Sequence, residues 1–126
     1  MQDRRKTRKV AIGDDRVGRL FIGGDSPILV QTMTAGYTYD IDACVAEIER
    51  YRLAGADVVR VAVPERKDTD ALREIIKQVQ IPIVADVHFH FQRALEAVEA
   101  GVHKIRLNPG NMCADPSENM VVFSLE

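Results

Sequence analysis

Residues 54–61 read AGADVVRV and residues 100–107 read AGVHKIRL, so one pattern recurs after 46 residues. In each copy a glycine follows a helical stretch, and a largely apolar run carrying one arginine comes next. Such runs are typical of strands that are buried on both faces of a parallel sheet. The repeat spans two β-α units, which predicts a regular alternation of strands and helices.

The same alternation extends outward from the repeat. Apolar spacing predicts a hairpin over residues 10–24 with a turn at residues 13–15, and then buried strands over residues 27–34, 58–63, 81–87 and 104–107. Helices are predicted over residues 40–54, from a cap at Asp68 to Val79, and from Phe91 to Gly101. The predicted order is a β-hairpin followed by β-α-β-α-β-α-β.

This order fits two α/β architectures, an open doubly wound sheet and the first half of a TIM-type (β/α)8 barrel. The first strand is not followed by G-x-G-x-x-G, which weakens the dinucleotide-binding version of the open sheet. A complete barrel needs roughly 250 residues, so 126 residues would supply about half of one.

Composition excludes several classes of protein. The chain is 46% hydrophobic and 29% charged, which suits a single domain with a buried core. No apolar run approaches the ~18 residues of a spanning helix, and no secretory signal is evident. Two cysteines are too few for a four-cysteine zinc or iron–sulfur site. We therefore expect a cytoplasmic protein with no membrane partner.

The net charge of −2 conceals a basic start. Residues 1–20 carry seven basic and three acidic side chains, whereas residues 21–126 carry ten and sixteen. The basic side chains cluster at Arg4, Arg5, Lys6, Arg8 and Lys9. Without interleaved aromatic residues or a nucleic-acid motif, we expect residues 1–9 to form a solvated arm that binds no nucleic acid.

The predicted strands become polar at their carboxyl ends, where parallel α/β folds bind ligands. Strands two apart in a barrel contribute to the same interior layer, so Arg60 and Arg106 should lie at one height. Two converging guanidinium groups suit an anion such as phosphate. The alternative is that each arginine pairs with a carboxylate such as Asp86. We favour a ligand, because one aspartate does not easily satisfy two arginines.

Further polar candidates surround this pair. Asp86 and His88 lie at i and i+2 and face the same side, where they could bind hydroxyl groups, transfer protons or, more weakly, ligate a metal. Asn108 follows Arg106 in a loop and is a plausible ligand contact. Four other residues are assigned no part in the site: His90 as exposed or structural, His103 as lying at the opposite sheet end, Cys44 as core, and Cys113 as unactivated.

Six segments, in order, resemble the IspG/GcpE family of 4-hydroxy-3-methylbut-2-en-1-yl diphosphate synthases. They are residues 4–8 (RRKTR), 23–27 (GGDSP), 30–34 (VQTMT), 54–64 (AGADVVRVAVP), 85–89 (ADVHF) and 106–111 (RLNPGN). The resemblance covers about residues 4–111 and implies the first half of the family's TIM-type barrel.

The resemblance also implies chemistry. The family reductively opens 2-C-methyl-D-erythritol 2,4-cyclodiphosphate in the methylerythritol phosphate route to isoprenoids, using a [4Fe–4S] cluster. Ferredoxin or flavodoxin donates the electrons, and the full-length enzyme is expected to be a homodimer. Carried over by motif, Arg60 and Arg106 are expected to bind the diphosphate, with Asp86, His88 and Asn108 as further substrate contacts and no catalytic residue assigned.

The resemblance predicts a partial barrel over residues 10–111. Residues 112–126 depart from the family's continuation. The family holds its cluster with three cysteines and one glutamate in a C-terminal domain, and that motif is absent from this sequence. We therefore expect an inactive N-terminal fragment with no metal ligand of its own. Two alternatives stay open: a non-catalytic phosphate-binding or assembly module, and a phosphate-using barrel enzyme resembling dihydropteroate synthase.

Overall fold

The structure is a computed structural model that describes residues 5–108. Arg4, the end of the predicted loop at residues 109–111, Cys113 and the divergent tail at residues 112–126 lie outside the described residues. The elements are β1 (Val10–Asp14), β2 (Gly18–Ile22), β3 (Gln31–Met33), α1 (Ile41–Leu53), β4 (Val58–Ala62), α2 (Arg66–Gln78), β5 (Ile83–Val87), α3 (Phe91–Ala100) and β6 (Lys104–Leu107).

The topology follows the predicted alternation. Strands β1 and β2 form an antiparallel hairpin, and the other four strands form a parallel sheet in the order β3-β4-β5-β6. Sequential strands lie side by side, as in the wall of a barrel. The predicted order of a hairpin followed by β-α-β-α-β-α-β is confirmed.

The two faces of the sheet differ. Odd-numbered side chains of β4 to β6, such as Val61, Ile83 and Ile105, pack against the three helices in the main apolar core. Even-numbered side chains occupy the other face, where Val58 and Val84 contact Ile12 of the hairpin. Alternation along each strand therefore sends the odd-numbered apolar side chains to the helices. The polar side chains of these strands lie on the even-numbered face, which we call the inner face, together with Val58 and Val84.

The hairpin is fixed beneath the amino ends of the strands. Asp14 accepts hydrogen bonds from the Arg16 and Val17 amides, both at 2.9 Å, and its Oδ2 lies 2.9 Å from Nε2 of His103. Nδ1 of His103 accepts from the amide of Ile83 at 3.0 Å. His103 thus lies at the end of the sheet opposite the polar strand ends, as the sequence predicts.

Three local predictions need correction. The turn of the hairpin lies at residues 15–17, because Gly13 and Asp14 still pair within β1. The expected buried strand over residues 27–34 is reduced to Gln31–Met33, with Ile28 92% exposed, because β3 is an edge strand of the described sheet. Helix α2 begins earlier than predicted: Glu65 is its N-cap, and Asp68 completes the capping box.

Asp14 gives the hairpin contact a defined pH dependence. The Val17 amide and His103 hold the pKa of Asp14 down at about 2, from an ordinary value of 3.8. Since the folded pKa is the lower one, the stabilisation is present above the ordinary pKa of 3.8 and is lost progressively as the pH falls from about 5 through about 2. We expect the difference in unfolding free energy between the native chain and Asp14→Asn to be larger at about pH 5 than at pH 2.

Urea unfolding at several pH values measures this difference, and Asp15→Asn is the matched control. Asp15 is 95% exposed and pairs only with Arg19 among the described residues, so its difference should stay small throughout. Equal pH profiles for the two variants would contradict the assignment.

Candidate functional site

Three polar side chains meet on the inner face at the carboxyl ends of the strands. Arg60 on β4 lies opposite Val84 in the ladder, whereas Arg106 on β6 lies opposite Asp86 of β5. Arg106 therefore lies two ladder positions closer to the carboxyl edge of the sheet than Arg60, and the two residues are two strands apart. A (β/α)8 barrel is staggered by about one residue per strand, so this offset is the one that brings both arginines to one height.

Asp86 is the centre of the group. Its side chain is fully buried, and its Oδ2 accepts from Nε of Arg60 at 2.9 Å and also from Nη2. Its Oδ1 accepts from Nη1 of Arg106 at 3.2 Å. The alternative of arginine–aspartate pairing is therefore present. Asp86 pairs with both arginines, because each of its carboxylate oxygens serves a different guanidinium group.

This pairing leaves excess positive charge at the carboxyl ends of the strands. Two guanidinium groups share a single carboxylate, and the arginine side chains remain 25% and 40% exposed. A guanidinium group carries five N–H donors, and Asp86 contacts two nitrogens of Arg60 and one of Arg106. The arrangement is a fixed pair of cations suited to an anion with several oxygens.

The other two predicted substrate contacts, His88 and Asn108, directly follow β5 and β6. Nε2 of His88 is 3.4 Å from Oδ2 of Asp86, and its side chain is 37% exposed. Asn108 directly follows β6 and is half-buried. The structure thus places Arg60, His88 and Arg106 around the carboxylate of Asp86. Asn108 comes directly after the strand that carries Arg106. His90 is exposed at the start of α3.

Sequence reasoning missed the buried carboxylate of Glu47, and it named Asp68 only as a helix cap. Glu47 of α1 accepts hydrogen bonds from the amides of Ala35 and Gly36, and Asp68 of α2 accepts one from the amide of Tyr39. One signal was available: Glu47 occupies the buried stripe of α1 with Cys44 and Ile48, where an unpaired carboxylate is costly.

The described residues do not fit an iron–sulfur cluster. Cys44 is buried in the core as predicted, and burial, followed by the neighbouring carboxylates Glu47, Asp40 and Asp68, raises the pKa of its thiol to about 12. Cluster ligands are thiolates, so this cysteine is poorly suited to the role. Within residues 5–108, no three histidine, cysteine or acidic side chains are grouped in a way that could hold a metal ion.

The helices are short relative to a bilayer. None of those within residues 5–108 is both long enough and apolar enough to cross a membrane.

The fold is a parallel β/α segment of the kind that builds barrels, with Arg60 and Arg106 sharing Asp86 at the carboxyl ends of its strands. A family model described as the GcpE TIM-barrel domain matches residues 7–125. The chain belongs to this family, which confirms the predicted fold class.

Curated relatives agree with this assignment. The chain is 54% identical over 109 residues to "4-hydroxy-3-methylbut-2-en-1-yl diphosphate synthase (flavodoxin)" of Rhodospirillum rubrum, covering 86% of this chain and 27% of the relative. Proteins with the same name from Granulibacter bethesdensis and Bacillus cereus strain B4264 are 51% and 49% identical. These matches cover 87% and 89% of the chain. The chain spans 27% to 29% of the length of these relatives.

Proposed function

We propose that this chain supplies the diphosphate-binding part of a 4-hydroxy-3-methylbut-2-en-1-yl diphosphate synthase. The whole protein would be a cytoplasmic oxidoreductase that converts 2-C-methyl-D-erythritol 2,4-cyclodiphosphate to 4-hydroxy-3-methylbut-2-enyl diphosphate in isoprenoid biosynthesis. The observation that carries the proposal is the pair Arg60 and Arg106 sharing the buried Asp86 at the carboxyl face. In this proposal residues 10–111 form the substrate-binding unit, residues 1–9 a basic arm and residues 112–126 a divergent tail.

The proposed roles follow from exposure and charge. Arg60 and Arg106 bind the diphosphate oxygens, since they are partly exposed guanidinium groups that share a single carboxylate. Asp86 is fully buried, so its main role is to orient the two guanidinium groups. His88 and Asn108 contact the remaining polar groups of the substrate from the ends of neighbouring strands. No residue is assigned a bond-breaking step.

The reducing chemistry is assigned to the rest of the whole protein. The family resemblance implies a [4Fe–4S] cluster, and residues 5–108 do not offer its ligands. The relatives' names specify flavodoxin, which favours flavodoxin over ferredoxin as the electron donor. We propose a homodimer for the whole protein.

Calorimetric titration tests the ligand class. We expect the chain to bind the cyclic diphosphate with an affinity that falls as salt is added, because both arginines are partly exposed and dissolved ions screen their attraction for the ligand. A pterin, the ligand class of dihydropteroate synthase, should show no heat of binding. Binding of the pterin in preference to the cyclic diphosphate would contradict the proposal.

A further inference from the structure

The segment between β3 and α1, residues 34–40, lies beside the anion site and is tied to β4. The amide of Thr34 donates to the carbonyl of Arg60 at 3.0 Å. The hydroxyl of Thr38 donates to the carbonyl of Ala62 at 2.5 Å. Ala62 is the ladder partner of Asp86, so this segment rests on the backbone that carries the site. We call residues 34–40 the rim loop.

Glu47 holds the first part of the rim loop. Its side chain is 7% exposed, with Oε2 accepting from the amide of Ala35 at 2.7 Å and Oε1 from the amide of Gly36 at 3.1 Å. The hydroxyl of Tyr51, one turn along α1, donates to Oε2 at 2.6 Å. Burial alone would raise the pKa of Glu47, but these three donors outweigh burial and lower the pKa below its usual value. Glu47 is therefore ionised and bound to the loop backbone.

Asp68 holds the other end of the rim loop. It is 2% exposed; Oδ1 accepts from the amide of Tyr39 at 3.1 Å, and Oδ2 accepts from the amide of Glu65 at 3.1 Å. One carboxylate thus joins the rim loop to the start of α2. Among the described ion pairs neither Glu47 nor Asp68 takes part, so their hydrogen-bonding capacity goes mainly to backbone amides. Such bonding fixes a backbone conformation.

We propose that Glu47 and Asp68 are positioning residues that hold the rim loop and thereby keep the carboxyl end of β4, and with it Arg60, in its contact with Asp86. Their effect on ligand affinity rests on the proposed function, whereas their effect on Arg60 does not. The two carboxylates act from separate helices, so each should affect its own end of the loop.

The test uses Glu47→Gln and Asp68→Asn in the full chain, with Glu49→Gln as the matched control. Glu49 is on the same helix as Glu47, is 43% exposed and pairs with Arg52. Amide hydrogen exchange measured by NMR should accelerate at least ten-fold at Ala35 and Gly36 in Glu47→Gln. In Asp68→Asn it should accelerate to the same extent at Tyr39. Neither effect should appear in Glu49→Gln, and core amides such as that of Val61 should stay protected in all three variants.

Two further measurements concern the site. The Nε–H signal of Arg60, which reports its bond to Asp86, should lose protection from solvent exchange in Glu47→Gln but not in Glu49→Gln. Affinity for inorganic pyrophosphate should fall about five-fold in the same variant. Faster loop exchange with an unchanged Arg60 signal would overturn the proposal, as would unchanged loop exchange. If Glu47→Gln fails to fold, Asp68→Asn serves instead. Amide exchange at Tyr39 and the Nε–H signal of Arg60 are then judged by the same criteria.

The two proposals fail in different ways. Absence of binding of both pyrophosphate and the cyclic diphosphate by the native chain would overturn the proposed function, and the Arg60 signal would still decide whether the two carboxylates position it. Normal binding by the native chain with no loss in Glu47→Gln or Asp68→Asn would overturn the positioning proposal and leave the proposed function standing.

Discussion

Replacing Asp86 with alanine is expected to lower the free energy of unfolding by about 2–3 kcal/mol. Asp86 is fully buried, and both Arg60 and Arg106 donate to it, so its removal leaves two guanidinium groups facing each other without a shared counter-ion. The expected loss lies below the roughly 3–5 kcal/mol typical of a broken buried pair, because both arginines are partly exposed and can regain water. Urea unfolding followed by circular dichroism measures the change.

Two further variants make this measurement specific. Asp86→Asn keeps the shape and one carbonyl acceptor but loses the charge. Its free energy of unfolding should therefore lie between that of the native chain and that of Asp86→Ala. Asp15→Ala removes a carboxylate from an exposed ion pair with Arg19 and should change stability by less than about 0.5 kcal/mol. An Asp86→Ala variant no less stable than Asp15→Ala would show that the buried carboxylate does not hold the site together.

Strands β4, β5 and β6 are predictable from the sequence to within two residues at either end. Each is short and rich in β-branched or aliphatic residues, and a proline lies within two residues of one end of each, which favours a strand over a helix. The segment over residues 27–34 has the same apolar character, yet only Gln31–Met33 pair. Composition does not distinguish a central strand from an edge strand, because the distinction depends on which neighbour is present to pair with it.

The site is predictable by parity but not by register. Alternation places Arg60, Asp86 and Arg106 on one face, because side chains in a strand alternate with a period of two. Which carboxylate oxygen serves which arginine depends on the stagger between strands, and the sequence does not encode that stagger locally. The bonds from Glu47 and Asp68 to residues 35–39 escaped notice for a related reason. The amides bound there are 11 to 29 residues away in sequence, which leaves no local pattern of side chains.

Arg60→Ala and Arg106→Ala are each expected to weaken binding of the cyclic diphosphate or of pyrophosphate at least ten-fold, about 1.4 kcal/mol or more. Either substitution removes one of the two cations that share Asp86, so the group goes from one excess positive charge to none. The double variant would leave the carboxylate of Asp86 without either arginine partner, and binding should fall below detection. Isothermal titration at constant ionic strength measures all three affinities.

The matched control for both arginines is Arg66→Ala. Arg66 begins α2, is 71% exposed and pairs with Asp70 and Glu96, so its removal makes the same change in net charge outside the proposed site. We expect its affinity to stay within two-fold of that of the native chain. Equal losses in all three single variants would show that only long-range charge attracts the ligand. Unchanged affinity in both Arg60→Ala and Arg106→Ala would remove the paired arginines from the ligand site.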